Sequence, residues 1–483
     1  MNIIYKLDKT LDTPLYIQIQ NHIITNIKEG NFKKGDKLPS QRELAKLYDV
    51  NRSTVINALD ELISKDILES KTKRGTIIKD DTWSILSNQN NLNWMSFAKS
   101  GSFYPNLNTV RTINEYDNKD LIKIGAGELS NDFFKKDIME TVLNDMKVNI
   151  NSLKYEEAKG SYELRVLLCN YFKTIGIDDI NPDKILIVSG ALQALHLISI
   201  GILNRNSTLL TEMPSYVNSL RVFQSADVNL YGIKMDENGI ITKDIKKAKR
   251  ISKASLLYTI PYFHNPTGVS ISEKRRDELL EICNELKLPI IEDDTYRELY
   301  FDKPYKPLKA YDKNNLVLLT GSMSKILFPG LRLGWIIGKE IIIDKLADLK
   351  MQIDYGTSSL SQEACISLLK NNLFEKALDE NRKELKNKRD YMLNTLDMYF
   401  KDIASWNNPN GGYYIWLELN TNISLKKLFD NALKKHILIH PGDIYHHSKK
   451  NHIRLSYSHA SYEEILYSLK TLSKLIKIQI KNN

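Results

Sequence analysis

Residues 316–325 read Leu-Val-Leu-Leu-Thr-Gly-Ser-Met-Ser-Lys. The apolar run predicts a buried strand, and Lys325 stands just beyond its end. The hydroxyls of Ser322 and Ser324 flank this amine, and Arg332 follows shortly after it. An amine can attach covalently to an aldehyde cofactor, while hydroxyls and a guanidinium can bind a phosphate group. The stretch therefore predicts a site for pyridoxal phosphate (PLP), with Lys325 as the point of attachment.

The length and composition of the chain predict a soluble protein of two or three domains. Its 483 residues exceed what one hydrophobic core holds, and 42% of them are hydrophobic and 26% charged. Lys and Arg outnumber Asp and Glu by 68 − 59, or +9, but residues 1–80 contribute only 14 − 11, or +3. The positive charge is spread along the chain, so charge alone does not identify a nucleic-acid-binding domain.

The cysteines and the apolar runs indicate the compartment. Cys169, Cys283 and Cys365 are far apart in the sequence and odd in number, so we expect no disulfide framework and no metal site. The N-terminus lacks the apolar core of a signal peptide, and no run of about 18 apolar residues predicts a membrane span. These features predict a cytoplasmic protein without membrane contact.

The first 80 residues have the pattern of three helices followed by two short strands. Apolar residues recur every four positions over 15–27, and Ser40 to Glu43 forms a capping box that opens a second helix. A third helix is expected over 51–63, and the strands over 67–70 and 76–78 enclose a basic turn.

Two short helices joined by a tight turn can place the second one in the major groove of DNA. Arg can bridge a guanine edge, and Ser or Thr can reach a phosphate or a base. The alternative is a small helical cap whose charges are simply solvated. The candidate DNA contacts are Ser40, Arg42, Arg52, Ser53, Thr54 and Asn57, with Lys73 and Arg74 in the basic turn, or wing.

Two segments of this region resemble the GntR-type winged helix. Residues 38–45 read Leu-Pro-Ser-Gln-Arg-Glu-Leu-Ala, and residues 50–55 read Val-Asn-Arg-Ser-Thr-Val. The family pattern has Ser where this chain has Asn51, and both residues can cap a helix. The resemblance implies a winged-helix domain over 1–80 whose partner is a double-stranded DNA operator.

Residues 81–120 contain Trp83, Trp94 and the polar tract 88–91, with no sustained apolar period. We interpret this segment as a linker, and its sequence leaves open whether it is a flexible connection or an ordered arm.

From about residue 121 to the end, apolar strands alternate with helical segments, which predicts an α/β domain with a mostly parallel sheet. Ligands bind such sheets just beyond the strand ends. Gly190, Tyr216, Asn265 and Asp293 each follow an apolar run. A carboxylate at the end of a buried strand is costly unless it meets a cation, and a protonated pyridine nitrogen of PLP is such a cation.

These segments, in this order, resemble the fold-type I aminotransferases of classes I and II over about 120–475. The resemblance implies a PLP-dependent transferase fold over 121–483, with a smaller C-terminal subdomain from about 360. It implies that Lys325 carries the cofactor, that Asp293 pairs with the ring nitrogen, and that Tyr296 donates to the phenolic oxygen. It implies further cofactor contacts by Gly190, Ala191, Leu192, Tyr216, Asn265, Ser322, Ser324 and Arg332.

Two more residues are assigned by the same resemblance. Tyr155 matches a tyrosine that reaches the phosphate in the neighbouring subunit, which implies a homodimer with shared sites. Arg454 matches the arginine that binds the substrate carboxylate, for which its planar fork is suited. The chain departs from the pattern at His264, where Gln is common. The adjacent Asp293 and Asp294 also leave the partner of the ring nitrogen to be assigned by spacing alone.

The order of winged helix, linker and aminotransferase-like domain resembles the MocR/GabR branch of the GntR regulators. That resemblance implies a PLP-dependent, DNA-binding transcriptional regulator that senses PLP, an amine or an amino acid. The alternative is an active aminotransferase that carries an accessory DNA-binding domain, since every residue needed for transamination is present in the sequence.

Overall fold

The computed structural model describes residues 7–8, 13–28, 32, 36–64, 67–71, 75–78, 107–117, 119–148, 155–446, 448 and 451–481. The chain divides into two compact units, Met1–Phe103 and Tyr104–Asn483. No helix in the part of the chain that the structure describes is long and apolar enough to cross a membrane.

The described residues of the first unit form three helices and a two-stranded antiparallel sheet. Its core forms because the apolar stripe of the first helix is buried, with Ile19 and Ile23 fully covered. The capping box is present, because Glu43 N donates to the Ser40 hydroxyl and Ser40 N donates to the Glu43 carboxylate. The elements are α1 (Leu15–Lys28), α2 (Gln41–Leu47), α3 (Arg52–Ser64), β1 (Leu68–Lys71) and β2 (Gly75–Ile78).

In the part of the second unit that the structure describes, the chain forms an α/β structure with two sheets. Its helices are α4 (Asn108–Asp117), α5 (Lys136–Val148), α6 (Tyr162–Thr174), α7 (Ala191–Gly201), α8 (Ile245–Ser252), α9 (Glu273–Glu285), α10 (Glu340–Asp354), α11 (Ser359–Lys370), α12 (Leu373–Phe400), α13 (Leu425–Leu433) and α14 (Tyr462–Lys481). Its strands are β3 (Ile185–Val188), β4 (Thr208–Met213), β5 (Asn229–Asp236), β6 (Gly239–Ile240), β7 (Leu256–Thr259), β8 (Ile290–Asp293), β9 (Val317–Ser322), β10 (Gly334–Ile337), β11 (Ala404–Trp406), β12 (Tyr414–Leu419), β13 (His440–Pro441) and β14 (His452–Ser456).

The large sheet has the order β3-β10-β9-β8-β7-β4-β5-β6. Strands β9, β8, β7, β4 and β5 pair in parallel, and β10 runs antiparallel to both of its neighbours. The expected α/β class and mostly parallel sheet are therefore confirmed. Because the parallel strands share one direction, the residues that follow β4, β7, β8 and β9 meet at one edge of the sheet.

The second sheet is antiparallel, with the order β11-β12-β14-β13. It lies in the C-terminal part of the chain, but a segment near residue 122 also joins it. Ile122 forms a bridge with Ile437, and Ser456 N donates to Ile124 O at 2.7 Å. We call the second sheet and the helices that follow its strands the C-terminal lobe. A segment near residue 122 is bonded to this lobe, far upstream of the start at about 360 that the resemblance implies.

Helix α4 lies inside the segment that we interpret from sequence as a linker, residues 81–120. Its Ile113 is only 5% exposed and belongs to the core of the second unit. The later part of that segment is thus an ordered piece of the second unit, which the amphipathic helix joins by burying one face. Residues 79–106 lie outside the described residues.

Candidate functional site

A cavity of about 200 Å³ lies where the large sheet meets the C-terminal lobe. It brings together five of the residues expected from the sequence, which are Tyr216, Asn265, Tyr296, Lys325 and Arg454. They follow β4, β7, β8 and β9 or lie on β14, so the strand ends converge as the parallel sheet requires.

Lys325 presents a largely buried amine to this cavity. Its Nζ donates to the carbonyl oxygen of Gly127 at 2.8 Å. Burial lowers the pKa of Lys325 to about 8, with Arg454 and Arg332 acting in the same direction and Glu128 opposing them. At pH 7.5 about one amine in four is then neutral, against one in a thousand for an ordinary lysine. The amine is thus available as a nucleophile or a base.

The two adjacent carboxylates after β8 differ in their partners. Asp294 receives a bidentate contact from Arg297 at 2.7 and 2.9 Å, which neutralises it. Asp293 receives only neutral donors, namely the Tyr258 hydroxyl at 2.7 Å and the backbone and hydroxyl of Thr295. Burial raises the pKa of Asp293. Of the two, Asp293 is the carboxylate that lacks a cation among the described residues.

Asn265 and Tyr296 lie side by side in the cavity wall. The Asn265 amide donates to the Tyr296 hydroxyl at 3.4 Å, and that hydroxyl is 3.0 Å from the hydroxyl of Tyr414. The backbone N–H of Tyr216 donates to Asn265 O at 3.1 Å, which fixes the two loops relative to each other. Burial raises the pKa of Tyr216 to about 12, so its phenol stays protonated.

Arg454 on β14 is a buried guanidinium, only 4% exposed. It donates to Asn265 Oδ1 at 2.8 Å and to Gly125 O at 2.7 Å, and its Nη2 is 3.0 Å from Nδ1 of His440. Burial, reinforced by Arg454, lowers the pKa of His440 well below its ordinary value, so His440 is neutral. No carboxylate among the described residues lies within ion-pairing distance of Arg454, and its Nε has no partner.

A second group of expected residues surrounds the turn between β3 and α7. Arg332 donates to the Ser324 hydroxyl at 3.2 Å and to Ser189 O at 3.3 Å. Gly190 has φ of 89°, and a Cβ there would be 2.9 Å from Nη2 of Arg332. A glycine at this helix start therefore lets the guanidinium approach the N-terminal N–H groups of α7, which Ala191 begins.

Three residues that were expected to contact the cofactor do not line the cavity. The Ser322 hydroxyl donates to Leu333 O at 3.1 Å and accepts from Ser324 N at 3.1 Å, so it is used inside the loop. Leu192 and Tyr155 are 48% and 90% exposed, and neither lines the cavity of this chain.

His264, the departure from the expected Gln, points away from the cavity. Its Nδ1 is 2.8 Å from the Thr267 hydroxyl, and its Nε2 is 3.3 Å from the carboxylate of buried Glu212. His264 in place of the expected Gln therefore affects the buried contacts with Thr267 and Glu212. The next residue, Asn265, still lines the cavity.

In the first unit, the face of α3 that the core leaves free carries the candidate DNA contacts. Arg52, Ser53 and Asn57 are exposed and Thr54 is half-buried. Arg52 donates to Gln41 Oε1 at 3.0 and 3.3 Å, which orients it across the turn, and Arg42 and Ser40 are exposed on the preceding helix start. Lys73 and Arg74 of the expected wing lie outside the described residues.

The sequence reasoning missed several residues of the cavity. Gly127, Glu128 and Asp117 come from the N-terminal part of the second unit, and Tyr414 and His440 come from the C-terminal lobe. A signal existed for Gly127 and Glu128, since Gly-Ala-Gly-Glu at 125–128 follows the segment Leu-Ile-Lys-Ile at 121–124, which is apolar except for Lys123. A Cβ at Gly127 would be 2.7 Å from the Tyr414 hydroxyl, which explains the glycine there.

Comparison with known proteins agrees with both units. Residues 119–472 match the family model of aminotransferase class I and II, and residues 15–78 match that of the bacterial regulatory proteins of the gntR family. The chain is 43% identical over 466 residues to the HTH-type transcriptional regulator YdfD of Bacillus subtilis, covering 96% of each chain. It is 36% identical over 453 residues to the HTH-type transcriptional regulator NorG of Staphylococcus aureus, covering 91% of this chain and 99% of NorG.

Solved structures resemble the second unit. A kynurenine aminotransferase of Pyrococcus horikoshii aligns with a TM-score of 0.72 and 31% identity, covering 76% of this chain and 93% of its own. An archaeal alanine:glyoxylate aminotransferase aligns with a TM-score of 0.75 and 29% identity, covering 80% of this chain and 100% of the aminotransferase chain. With a gntR-family domain ahead of an aminotransferase domain that fills most of its length, the chain belongs to the HTH-type transcriptional regulators of the MocR/GabR type.

Proposed function

We propose that the protein is a cytoplasmic transcriptional regulator that binds an operator through its first unit and binds PLP and an amino compound in its second. Binding of the amino compound changes the affinity for DNA. The observation that carries this proposal is a pair of buried groups of opposite charge, Asp293 at the end of β8 and Arg454 on β14, neither of which has a counterion among the described residues.

The residues present fit PLP in their chemistry. A buried charge without a partner is costly, so each of these two groups is best explained by a ligand of opposite charge. Asp293 suits a protonated pyridine nitrogen, and Arg454 suits a carboxylate. The neutral donors to Asp293 stabilise its ionised form, so the carboxylate can hold a proton on that nitrogen.

The remaining contacts follow from positions already described. Arg332, the Ser324 hydroxyl and the N-terminal N–H groups of α7 would hold the phosphate, because the glycine turn leaves these donors accessible. Asn265 and Tyr296 would donate to the phenolic oxygen, and Tyr216 would stack on the ring. When bound, PLP supplies an aldehyde for an amine and an electron sink for bonds at the amino acid's α carbon.

Lys325 and Arg454 are the two residues that would respond to the amino compound. The Lys325 amine, with its lowered pKa, would hold the cofactor, and it would be free to act as a base when an amino compound occupies the site. Arg454 then holds the ligand carboxylate from β14, while Asn265 follows β7 of the large sheet. A ligand that contacts both residues touches both lobes and favours one arrangement of the C-terminal lobe. DNA affinity changes to the extent that the two arrangements hold the first units differently.

The exposed face of α3 supports DNA binding by the first unit. A helix that presents Arg52, Ser53 and Asn57 outward after a tight turn is suited to the major groove, where Arg can bridge a guanine. We also propose a homodimer in which Tyr155 reaches the partner's phosphate group, since its ring is 90% exposed in the single chain.

The test uses the full chain, PLP and borohydride, which makes a lysine–PLP linkage permanent. We expect reduction to fix the cofactor at Lys325, and the Lys325→Ala variant to remain unlabelled. Lys345→Ala is the matched control, because Lys345 is exposed on α10. Retention of operator DNA is then measured with and without a panel of amino acids. Labelling elsewhere, or DNA affinity that no amino compound changes, would overturn the proposal.

A second candidate is a working aminotransferase, favoured by the completeness of the residue set around Lys325. After release, the Lys325 amine lies in the same cavity as Arg454 and Tyr296 and can take a proton from the α carbon of the held amino acid. Steady production of ketoacid from an amino donor and acceptor, at ordinary enzyme rates of about 1–1000 per second, favours this function. DNA binding that responds to ligand without sustained turnover favours the regulator.

A further inference from the structure

Two carboxylates in the cavity wall have no part in the function proposed above. Asp117 ends helix α4, and Glu128 follows the Gly-Ala-Gly turn, and both line the same cavity as Lys325 and Arg454. Their side chains are 42% and 38% exposed, whereas Arg454 is 4% exposed. The cavity is therefore cationic at its buried end and carries carboxylates where it meets solvent.

One cation lies between these carboxylates. Lys123 Nζ is 3.5 Å from Asp117 and 3.6 Å from Glu128, which is too long for strong hydrogen bonds. No other lysine or arginine in the described ranges is within ion-pairing distance of either carboxylate. Within ion-pairing distance, two negative charges therefore face one positive charge, and Lys325 and His459 lie further away. The local net charge of −1 lets the pair accept a further cation.

The groups at the buried end of the cavity indicate which part of a bound ligand would carry that cation. Arg454 has a partnerless Nε and no carboxylate beside it, and Lys325 presents an amine to the same space. A ligand whose carboxylate meets Arg454 and whose α-amine replaces Lys325 has only its side chain left to reach the solvent end.

We propose that the sensed compound is an amino acid whose side chain ends in a cationic group, which Asp117 and Glu128 bind. The inference rests on the proposed function and adds the class of its ligand. An ammonium or guanidinium restores the charge balance at the solvent end, and a distal carboxylate is repelled there. Asp117 lies on α4, which is the first described helix after residues 79–106.

The test compares three probes on the full, PLP-loaded chain. L-Lysine and L-norleucine have side chains of similar length but differ in charge, and L-2-aminoadipate ends in a carboxylate. Dissociation constants are measured by titration calorimetry and checked by the ligand-dependent shift in melting temperature. We expect lysine to bind at least about tenfold more tightly than norleucine, which corresponds to about 1.4 kcal/mol, and aminoadipate to bind most weakly.

The double variant Asp117→Asn and Glu128→Gln identifies the cause. We expect it to bind lysine about tenfold more weakly and norleucine unchanged, and the lysine preference of the wild type to shrink in 0.5 M salt. Glu115→Gln is the matched control, since Glu115 is an exposed carboxylate of α4 that does not line the cavity.

The possible failures are distinguishable. Equal affinity for lysine and norleucine, or a preference for aminoadipate, overturns the ligand class and leaves the proposed function standing, because amino acids still bind. A lysine preference that survives in the double variant overturns the role of these two carboxylates. Failure of all three probes, while another amino acid of the panel changes DNA affinity, overturns the ligand class alone. Failure of the whole panel contradicts the proposed function itself.

Discussion

Replacing Lys325 by methionine is expected to stabilise the cofactor-free protein at neutral pH. The pKa of Lys325 falls from 10.5 to about 8 on folding, and at about 1.36 kcal/mol per pH unit this corresponds to about 3 kcal/mol of penalty for burying the charged amine. Methionine removes that penalty at nearly the same volume. It also removes the hydrogen bond to Gly127, and the loss of that bond offsets about 1 kcal/mol of the gain in stability. The net gain is about 2 kcal/mol, an upper figure because the side chain keeps some contact with solvent.

The gain depends on pH with a definite sign. Because the pKa is lowered in the folded state, the penalty is fully present below about pH 8 and fades as the pH rises toward 10.5, where the unfolded chain also loses its proton. Urea unfolding of cofactor-free wild type and variant at pH 7 and pH 10 should therefore show a stability gap that shrinks by about 2 kcal/mol. Lys345→Met, at an exposed lysine, should show no gap at either pH. A variant that is less stable than wild type at pH 7, or a gap independent of pH, would refute the reasoning.

Three other substitutions test separate parts of the site. Asp293→Asn should weaken PLP binding by at least about tenfold, because the ring nitrogen loses its counterion. It should not destabilise the PLP-free protein, because it removes a buried charge without a partner. Unchanged PLP affinity in a fluorescence titration contradicts the pairing. Gly190→Ala should cost about 1 kcal/mol of stability, from a residue held at φ of 89°, and should weaken PLP binding by displacing Arg332. Gly330→Ala is its control, since a Cβ there meets nothing within 4 Å, and equal effects of the two variants would contradict the phosphate turn. Arg52→Ala should weaken operator binding. If Arg52 contacts a base, specificity at that base is relaxed; if it contacts a phosphate, the slope of log affinity against log salt concentration falls by about one. A gel-shift series across salt concentrations distinguishes these outcomes, and unchanged binding removes Arg52 from the interface.

Much of the fold follows from short-range patterns. The strand that ends before Lys325 and the helix opened by Ser40 were predictable, because apolar periodicity and capping act over a few residues. Boundaries were less predictable. Strand β4 extends to Met213, beyond the apolar run, because its pairing with β5 continues through the polar residues.

The assignment between Asp293 and Asp294 shows where local reasoning ends. The spacing to Tyr296 favoured Asp293, but the partners of the two carboxylates came from the structure: Asp294 pairs with Arg297, whereas Asp293 accepts from the Tyr258 hydroxyl, which lies 35 positions away in the chain. Helix α4 is a second example. Its sequence is polar enough to pass for a linker, and its place in the core comes from packing Ile113 against the rest of the second unit.

The sequence on its own established the two domain types, the order of strands and helices, and an amine, hydroxyls and a guanidinium at strand ends, because these depend on residues close together in the chain. The tertiary structure alone decided which charges lack a partner and which residues close the cavity. Arg454 contacts Asn265 across 189 positions and Gly125 across 329. Contacts over such separations are set by how the sheet and the C-terminal lobe pack, and no local pattern encodes them.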